Sequence, residues 1–319
     1  MRVVFASKIA RKPLIDHLKK VEGIDLVILD ELSEMPPLVK DADVLVIQDP
    51  RGPDGRNIAA ELKQPGCKVR WVQIVSAGFE GLTAHNPPAH IQITNQGGAV
   101  APVVAEHAMA SILAMARQIP AIVMNSSRHA WEKDFKVPVM SVERKTLVIV
   151  GHGNIGGHLA KRAKAFDMRV LAVSRSPIDD PNVDEAFSLA DMHKALAHAD
   201  AVAVCIALSA STRSMFGAKE FAACRKGALF TNVSRGETVD QVALKAALES
   251  GQIGFAFIDV TTPEPLPSDD PLWSAPNIVI GPHTAGGGSL HTGDRVGATV
   301  ADNVRRFLAG QPLQHLIKI

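Results

Sequence analysis

The chain has 319 residues, enough for two domains that each bury a core. Apolar residues make up 46% and charged residues 21%, the balance of a soluble globular protein. Thirty-four Lys and Arg against 33 Asp and Glu leave a net charge of +1, which excludes the clustered basic excess of a nucleic-acid binder.

The N-terminal "MRVVFASKIARK" enters a strand at once and lacks the apolar core of a signal peptide. In the first hundred residues "VVFA", "DLVILD", "DVLVIQD", "RWVQIV" and "IQITN" read as strands with helical spacers between them. A long apolar helix near 101–128 follows. Its most apolar part, Ala101 to Ala116, carries Glu106 and His107 and is too short and too charged to span a bilayer. Beyond it come "TLVIV", "RVLAV", "AVAVCIA", "ALFTNV", "GFAFIDV" and "NIVI". Short Val- and Ile-rich runs at helix-length spacing indicate buried parallel strands, and eleven of them exceed one open sheet. The fold class is therefore α/β, with two doubly wound parallel sheets and a boundary in the apolar helix. The last stretch has helical spacing through Val296, Val300, Val304 and Phe307, with Gly310 as its stop. It either closes the second domain or returns to the first, and composition does not choose. Cys67, Cys205 and Cys224 have neither metal spacing nor a disulfide framework, so they read as buried apolar residues in a reducing compartment. A cytoplasmic protein without metal or membrane association is expected.

The most informative stretch is "TLVIVGHGNIGGHLAKRAKAFDMRVLAVSRS". Gly151, Gly153 and Gly156 form G-x-G-x-x-G directly after a β-branched run. A helix with apolar Ile155, Leu159, Ala163 and Phe166 follows, then a strand at 170–173. Gly151 permits the tight turn, Gly153 lets a pyrophosphate approach the backbone, and Gly156 allows close helix–strand packing. The helix N-terminus then offers unpaired N–H groups to the phosphates. After the second strand an NAD site carries Asp or Glu for the ribose 2′-OH. Here the strand ends Ser174-Arg175-Ser176, and Asp179 and Asp180 lie beyond Pro177. A guanidinium flanked by hydroxyls suits a 2′-phosphate, so NADP(H) is expected over NAD(H), with NAD(H) still possible.

Three further residues follow successive strands: Arg235 in "ALFTNVSRGETVD", Glu264 after Asp259 in "GFAFIDVTTPEPLP", and His283 in "NIVIGPHTAGG". Parallel strands deliver them to one carboxyl edge, beside the expected nicotinamide. Reduction of a 2-keto acid needs a directed cation for the carboxylate and a proton donor for the carbonyl oxygen. Arginine and histidine supply these. A carboxylate on the other ring nitrogen favours the imidazolium and orients it. The prolines around Glu264 would hold it behind His283.

Together with "SAGFEGL" (76–82), "VVAEHAMASILAMAR" (103–117), "GHGNIG", "NVSRGE" (232–237), "DVTTPEPLP" (259–267) and "GPHTAGG" (281–287), this order resembles the D-isomer-specific 2-hydroxyacid dehydrogenase family over nearly the whole chain. The resemblance implies a Rossmann cofactor domain, 100–287, inserted into a flavodoxin-like substrate domain, 1–99 and 288–319. It implies that Arg235, Glu264 and His283 are catalytic, with Arg235, His283 and the N–H groups around Ala77 and Gly78 holding substrate. Asp259 would orient the nicotinamide amide, and Ala207, Leu208 and Thr212 would line the cofactor. Asn154, Ile155, Val233, Ser234, Ala285 and Gly286 complete that lining. A homodimer through 101–145 is implied, with Trp131 either reaching the partner's active site or serving as a core or interface residue. The expected activity is NADPH-dependent reduction of a small 2-keto acid, glyoxylate or hydroxypyruvate in type, to the D-2-hydroxy acid. Bulkier phenylpyruvate-like acids are the runner-up, ahead of phosphite oxidation or a non-catalytic NAD(H)-sensing corepressor. A formate dehydrogenase of this fold would carry Gln where Glu264 stands. Three departures from the family pattern are His152 between the glycines, Ala207 in place of a proline, and Phe79-Glu80 in place of Val-Asp.

Overall fold

Val3 and Phe5 belong to the core on one side of the first strand, Val4 and Ala6 to the core on the other. A strand covered on both faces loses the alternation of a half-exposed one, which is why such runs read as continuously apolar. The computed structural model of the chain describes residues 1–317. It divides into two compact units, Met1–Val100 with Gly288–Ile319, and Ala101–Gly287. Lys318 and Ile319, which end the predicted 288–319 segment, lie outside the described residues.

The first unit holds strands β1 (Arg2–Ala6), β2 (Asp25–Ile28), β3 (Val44–Ile47), β4 (Trp71–Ile74) and β5 (Gln92–Thr94). They form a parallel sheet in the order β2-β1-β3-β4-β5, the flavodoxin-like arrangement. The helix Leu290–Leu308 places Val296, Val300 and Val304 in the same core as Val3, Phe5 and Trp71. Asn303 on that helix donates to Gln73 Oε1 at 3.1 Å. Thr94 donates to the same oxygen at 2.9 Å and accepts from the Trp71 indole at 2.8 Å. This buried polar network joins the last helix to the sheet with its members paired, as burial demands.

The second unit holds β6 (Thr146–Val150), β7 (Arg169–Ser174), β8 (Glu185–Ser188), β9 (Ala201–Val204), β10 (Ala228–Asn232), β11 (Ile253–Ile258) and β12 (Ile278–Ile280). Their parallel order, β12-β11-β10-β9-β6-β7-β8, is the Rossmann order extended by a seventh strand. The eleven apolar runs are all strands. The twelfth, β8, is not among them because its "EAFS" stays largely exposed, so no apolar run is needed.

Three expectations require correction. The helix read over 101–128 is two helices, Ala101–Ala116 and Ile119–Ser127, bent by 65°. Gln118 takes a left-handed φ of 56°, which ends a helix, and Pro120 starts the next one. Phe166 is not on the buried face after the glycine turn: that helix ends at Lys164 with Leu159, Ala160 and Ala163 inside, and Phe166 is 43% exposed. Trp131 is 91% exposed in this chain, so it is no core residue. Among the described residues no single helix is long and apolar enough to cross a membrane.

Candidate active site

The glycine-rich turn joins β6 to the helix Asn154–Lys164. Gly151 has φ 100°, and a Cβ there would fall 2.7 Å from the Ile206 backbone just past the end of β9. A Cβ on Gly156 would lie 2.3 Å from the Gly151 carbonyl oxygen. Both positions therefore exclude any side chain. Gly153 differs: nothing lies within 4 Å of its missing Cβ. The open space sits at a helix N-terminus, with exposed Asn154 and half-buried Ile155 beginning the first turn. That cradle fits a pyrophosphate by shape and by the dipole of the helix.

Ser174 ends β7, and its hydroxyl accepts from the Ser176 N–H at 3.2 Å. Arg175 and Ser176 are exposed, and Arg175 makes no hydrogen bond or ion pair among the described residues. Past β9, Thr212 is turned into its own loop: its hydroxyl donates to Ala207 O at 2.8 Å and accepts from Ser209 N–H at 2.7 Å. It shapes the segment in which Ala207 is exposed and Leu208 half-buried. Burial pushes the thiols of Cys205 and Cys224 up to about 12, with the Glu220 charge adding to the latter, so neither is a thiolate at neutral pH.

Arg235 follows β10 and is held by buried Asn232, Ser234 and Thr238, of which the sequence pointed to Ser234 alone. Its carbonyl accepts from the Asn232 amide at 3.0 Å and the Thr238 hydroxyl at 2.7 Å, while Ser234 donates to Asn232 Oδ1 at 2.8 Å. Its guanidinium donates to Ser234 O at 2.7 Å. Val233 and Ser234 are buried in this turn. A Cβ on Gly236 would fall 2.0 Å from the Thr261 carbonyl carbon, so the Arg235 turn presses on the start of the Glu264 loop. Gln241 clamps the same place, accepting from Thr262 N–H at 2.7 Å and donating to Thr262 O at 3.0 Å.

Glu264 and His283 meet as the proline-rich loop suggested. His283 Nδ1 lies 2.8 Å from Glu264 Oε2, and the other carboxylate oxygen accepts from Thr261 N–H at 3.2 Å. His283 has φ 56°, and its N–H donates to the Asp259 carbonyl at 2.8 Å. The Asp259 side chain, 1% exposed, accepts from Thr284 N–H at 2.9 Å and Ala285 N–H at 2.8 Å. Both its oxygens thus serve the loop carrying His283, Ala285 and Gly286, a use beyond the expected contact with a nicotinamide amide. His107, on Ala101–Ala116, brings Nε2 to 3.8 Å from Asp259 Oδ1 and its ring edge against Phe257. Because β10, β11 and β12 are adjacent and parallel, Arg235, Asp259, Glu264 and His283 share one carboxyl edge.

Ala77 and Gly78 lie in the first unit, in the loop after β4. Ser76 donates to Gly78 O at 2.9 Å and Asn95 to Ala77 O at 3.1 Å, while the N–H groups of residues 77 and 78 donate to nothing among the described residues. Asp49 accepts from Gly81 and Leu82 N–H at 2.9 and 3.2 Å and fixes the chain just beyond. Burial raises its carboxyl above the usual value against those two bonds.

A sheet of this strand order with this turn holds dinucleotides, and an imidazole backed by a carboxylate at its carboxyl edge moves protons. The class so defined is the nicotinamide-dependent oxidoreductases. The model of the D-isomer specific 2-hydroxyacid dehydrogenase NAD binding domain matches residues 109–285. The glyoxylate reductase of Korarchaeum cryptofilum is 33% identical over 289 residues, covering 88% of this chain and 83% of that protein. Glyoxylate/hydroxypyruvate reductase B of Citrobacter koseri is 34% identical over 250 residues, 76% of each chain. A solved D-isomer specific 2-hydroxyacid dehydrogenase family protein from Aeromonas salmonicida matches with a TM-score of 0.86 at 29% identity, over 99% of this chain and 98% of that one. The chain belongs to the D-isomer specific 2-hydroxyacid dehydrogenase family. It is an NAD(P)-dependent oxidoreductase acting on the CH–OH group of small hydroxy acids or on the matching keto acids.

Proposed function

We propose that this enzyme reduces a small 2-keto acid of the glyoxylate or hydroxypyruvate type to the D-2-hydroxy acid, with NADPH preferred and His283 as proton donor. The observation that carries this reading is the His283–Glu264 bond of 2.8 Å on the carboxyl edge that also carries Arg235. Both similar curated reductases named above act, by name, on glyoxylate. The nicotinamide, when bound, supplies the hydride that reaches the carbonyl carbon. Glu264 accepts from Nδ1–H, which leaves Nε2 to give its proton to the carbonyl oxygen as negative charge develops there. Arg235 binds the substrate carboxylate. Gly151, Gly153, Asn154, Ile155 and Gly156 hold the pyrophosphate, with the strand-end residues of the same sheet lining the rest.

The open guanidinium of Arg175 between two serines supports NADPH over NADH. Arg175→Asp is expected to lower the NADPH:NADH ratio of kcat/KM by about a hundredfold, the scale of losing a charge-assisted pair and adding a repulsion. An unchanged ratio would show that the 2′-phosphate is read elsewhere. Turnover itself is tested by following nicotinamide absorbance with NADPH and a panel of glyoxylate, hydroxypyruvate and phenylpyruvate. Faster kcat/KM with phenylpyruvate would reverse the substrate order, and no turnover with any of them would overturn the reading.

Exposed Ile119, Ile122, Val123, Met124, Trp131 and Val139 fall within 101–145, and so many exposed apolar side chains in one segment support a homodimer through that region. Sedimentation at micromolar concentration should give twice the chain mass, and a monomer would remove the dimer. Three free cysteines support a reducing, cytoplasmic setting.

A further inference from the structure

His152 stands between the first two glycines of the turn, where a small or apolar residue would suffice to make it. Its Nε2 lies 3.0 Å from Asp180 Oδ2, and the two side chains are only 13% and 16% exposed. Asp180 is 28 residues along the chain, on the loop that opens with Arg175. Its other oxygen accepts from both the N–H and the side-chain amide of Asn182, each at 2.8 Å. A Cβ on Gly157 would lie 3.7 Å from Asp180 Oδ2 and 3.8 Å from His152 Cε1, so the pair rests on the first turn of the helix. Partial burial pushes the Asp180 carboxyl up, but the Asn182 bonds and the His152 charge and bond outweigh it, and it sits below the ordinary value. The group is therefore a carboxylate at neutral pH.

That carboxylate is five residues from Arg175 on one loop, yet it pairs with His152 and not with the guanidinium. A carboxylate at this end of a dinucleotide site accepts from a ribose 2′-OH and repels a 2′-phosphate. We propose that His152 is a cofactor-specificity residue: by bonding Asp180 to the glycine-rich turn, it keeps that carboxylate off Arg175 and so keeps the loop selective for a 2′-phosphate. Without His152, Asp180 keeps only its Asn182 bonds, and the guanidinium five residues back on the same loop becomes a cation for it to turn to. Pairing would occupy Arg175 and place a negative charge where the phosphate must sit. His152 acts here through Asp180, as a positioning residue.

The inference rests on Arg175 reading the 2′-phosphate, and the test separates the two. Calorimetric titration of the full-length protein with 2′,5′-ADP and with ADP reports the adenosine end alone, without turnover. His152→Leu is expected to lower the preference for 2′,5′-ADP by about tenfold, the scale of one misplaced charge near the surface. Adding Asp180→Asn should restore it, because the released group is then neutral. His152→Gln, which keeps a donor, should stay near the parent. An unaltered preference in His152→Leu overturns the proposal. So does a loss that Asp180→Asn fails to restore, since His152 would then act on the turn and not through the carboxylate. Arg175→Ala is run beside them. An unchanged preference there sinks the 2′-phosphate reading, whereas a loss there with His152→Leu unaffected sinks only the role of His152.

Discussion

The first βα turns of the two sheets occupy the same topological place and do opposite things. After β1 the chain reads "SKIARKP", and Ser7 closes it locally, donating to Ile9 O at 3.1 Å and accepting from Ile9 N–H at 3.0 Å. The Arg11 guanidinium is spent on the Leu29 carbonyl at 2.8 Å and on Asp30, both just past the second strand. After β6 the chain reads "GHGNIGG", Gly153 faces open space, and Arg175, just past its second strand, is exposed without a partner among the described residues. Both sheets are parallel and doubly wound, so the architecture alone does not make a phosphate site. The difference is whether the turn leaves room and whether the cation at the strand end is already satisfied.

The same contrast holds for buried polar groups. In the first unit Trp71, Gln73, Thr94 and Asn303 bond one another and tie a helix to the sheet. In the second, Asn232, Thr238 and Asp259 bond the backbone of the loops that carry Arg235 and His283. One network holds the fold together, and the other holds side chains at an edge.

The hardest way to break this contrast is at the imidazole. His283→Ala should lower kcat by about a thousandfold, within the range of general acid catalysis, while NADPH affinity stays within about twofold. Steady-state kinetics with fluorescence titration checks both, and near-parental kcat would remove His283 from the chemistry. The turn offers a sharper division. Gly153→Val has room for its side chain, so Tm should hold while NADPH binds roughly tenfold weaker or worse. Gly156→Ala should instead lower Tm, because its methyl group meets the Gly151 carbonyl at 2.3 Å. Equal Tm losses in both variants would mean that Gly153 is structural too. The smallest effect belongs to the first unit. Asn303→Leu removes one of the two bonds to Gln73 Oε1 and strands the Gln314 N–H, which donates to Asn303 Oδ1 at 2.9 Å, and should cost about 1–3 kcal/mol of stability with NADPH affinity unchanged. Weakened cofactor binding there would blur the separation between the two networks.

Much of this was legible residue by residue. The eleven strands showed because each carries an apolar run, and β8 escaped because its side chains stay largely exposed and need none. The break at Gln118 left only Pro120 as its signal, set in an otherwise unbroken apolar stretch. Glu264 and His283 could be paired in advance because both follow strands and both sit in a stiff, proline-rich segment. Thr238, Gln241 and His107 could not. Their partners are backbone atoms or carboxylates fixed only once the loops after β10 and β11 press together at Gly236 and Thr261.

Residue type and order along the chain were enough to decide the α/β class and the dinucleotide turn, and to single out Arg235, Glu264 and His283 as candidates for the chemistry. Those depend on local spacing and on intrinsic chemistry, which a linear string carries. Tertiary structure alone decided that Arg11 is spent and Arg175 is open, that Asp180 turns toward His152, and that Asp259 braces the His283 loop. Hydrogen-bond partners far apart in the chain are chosen by packing, and packing has no one-dimensional signature.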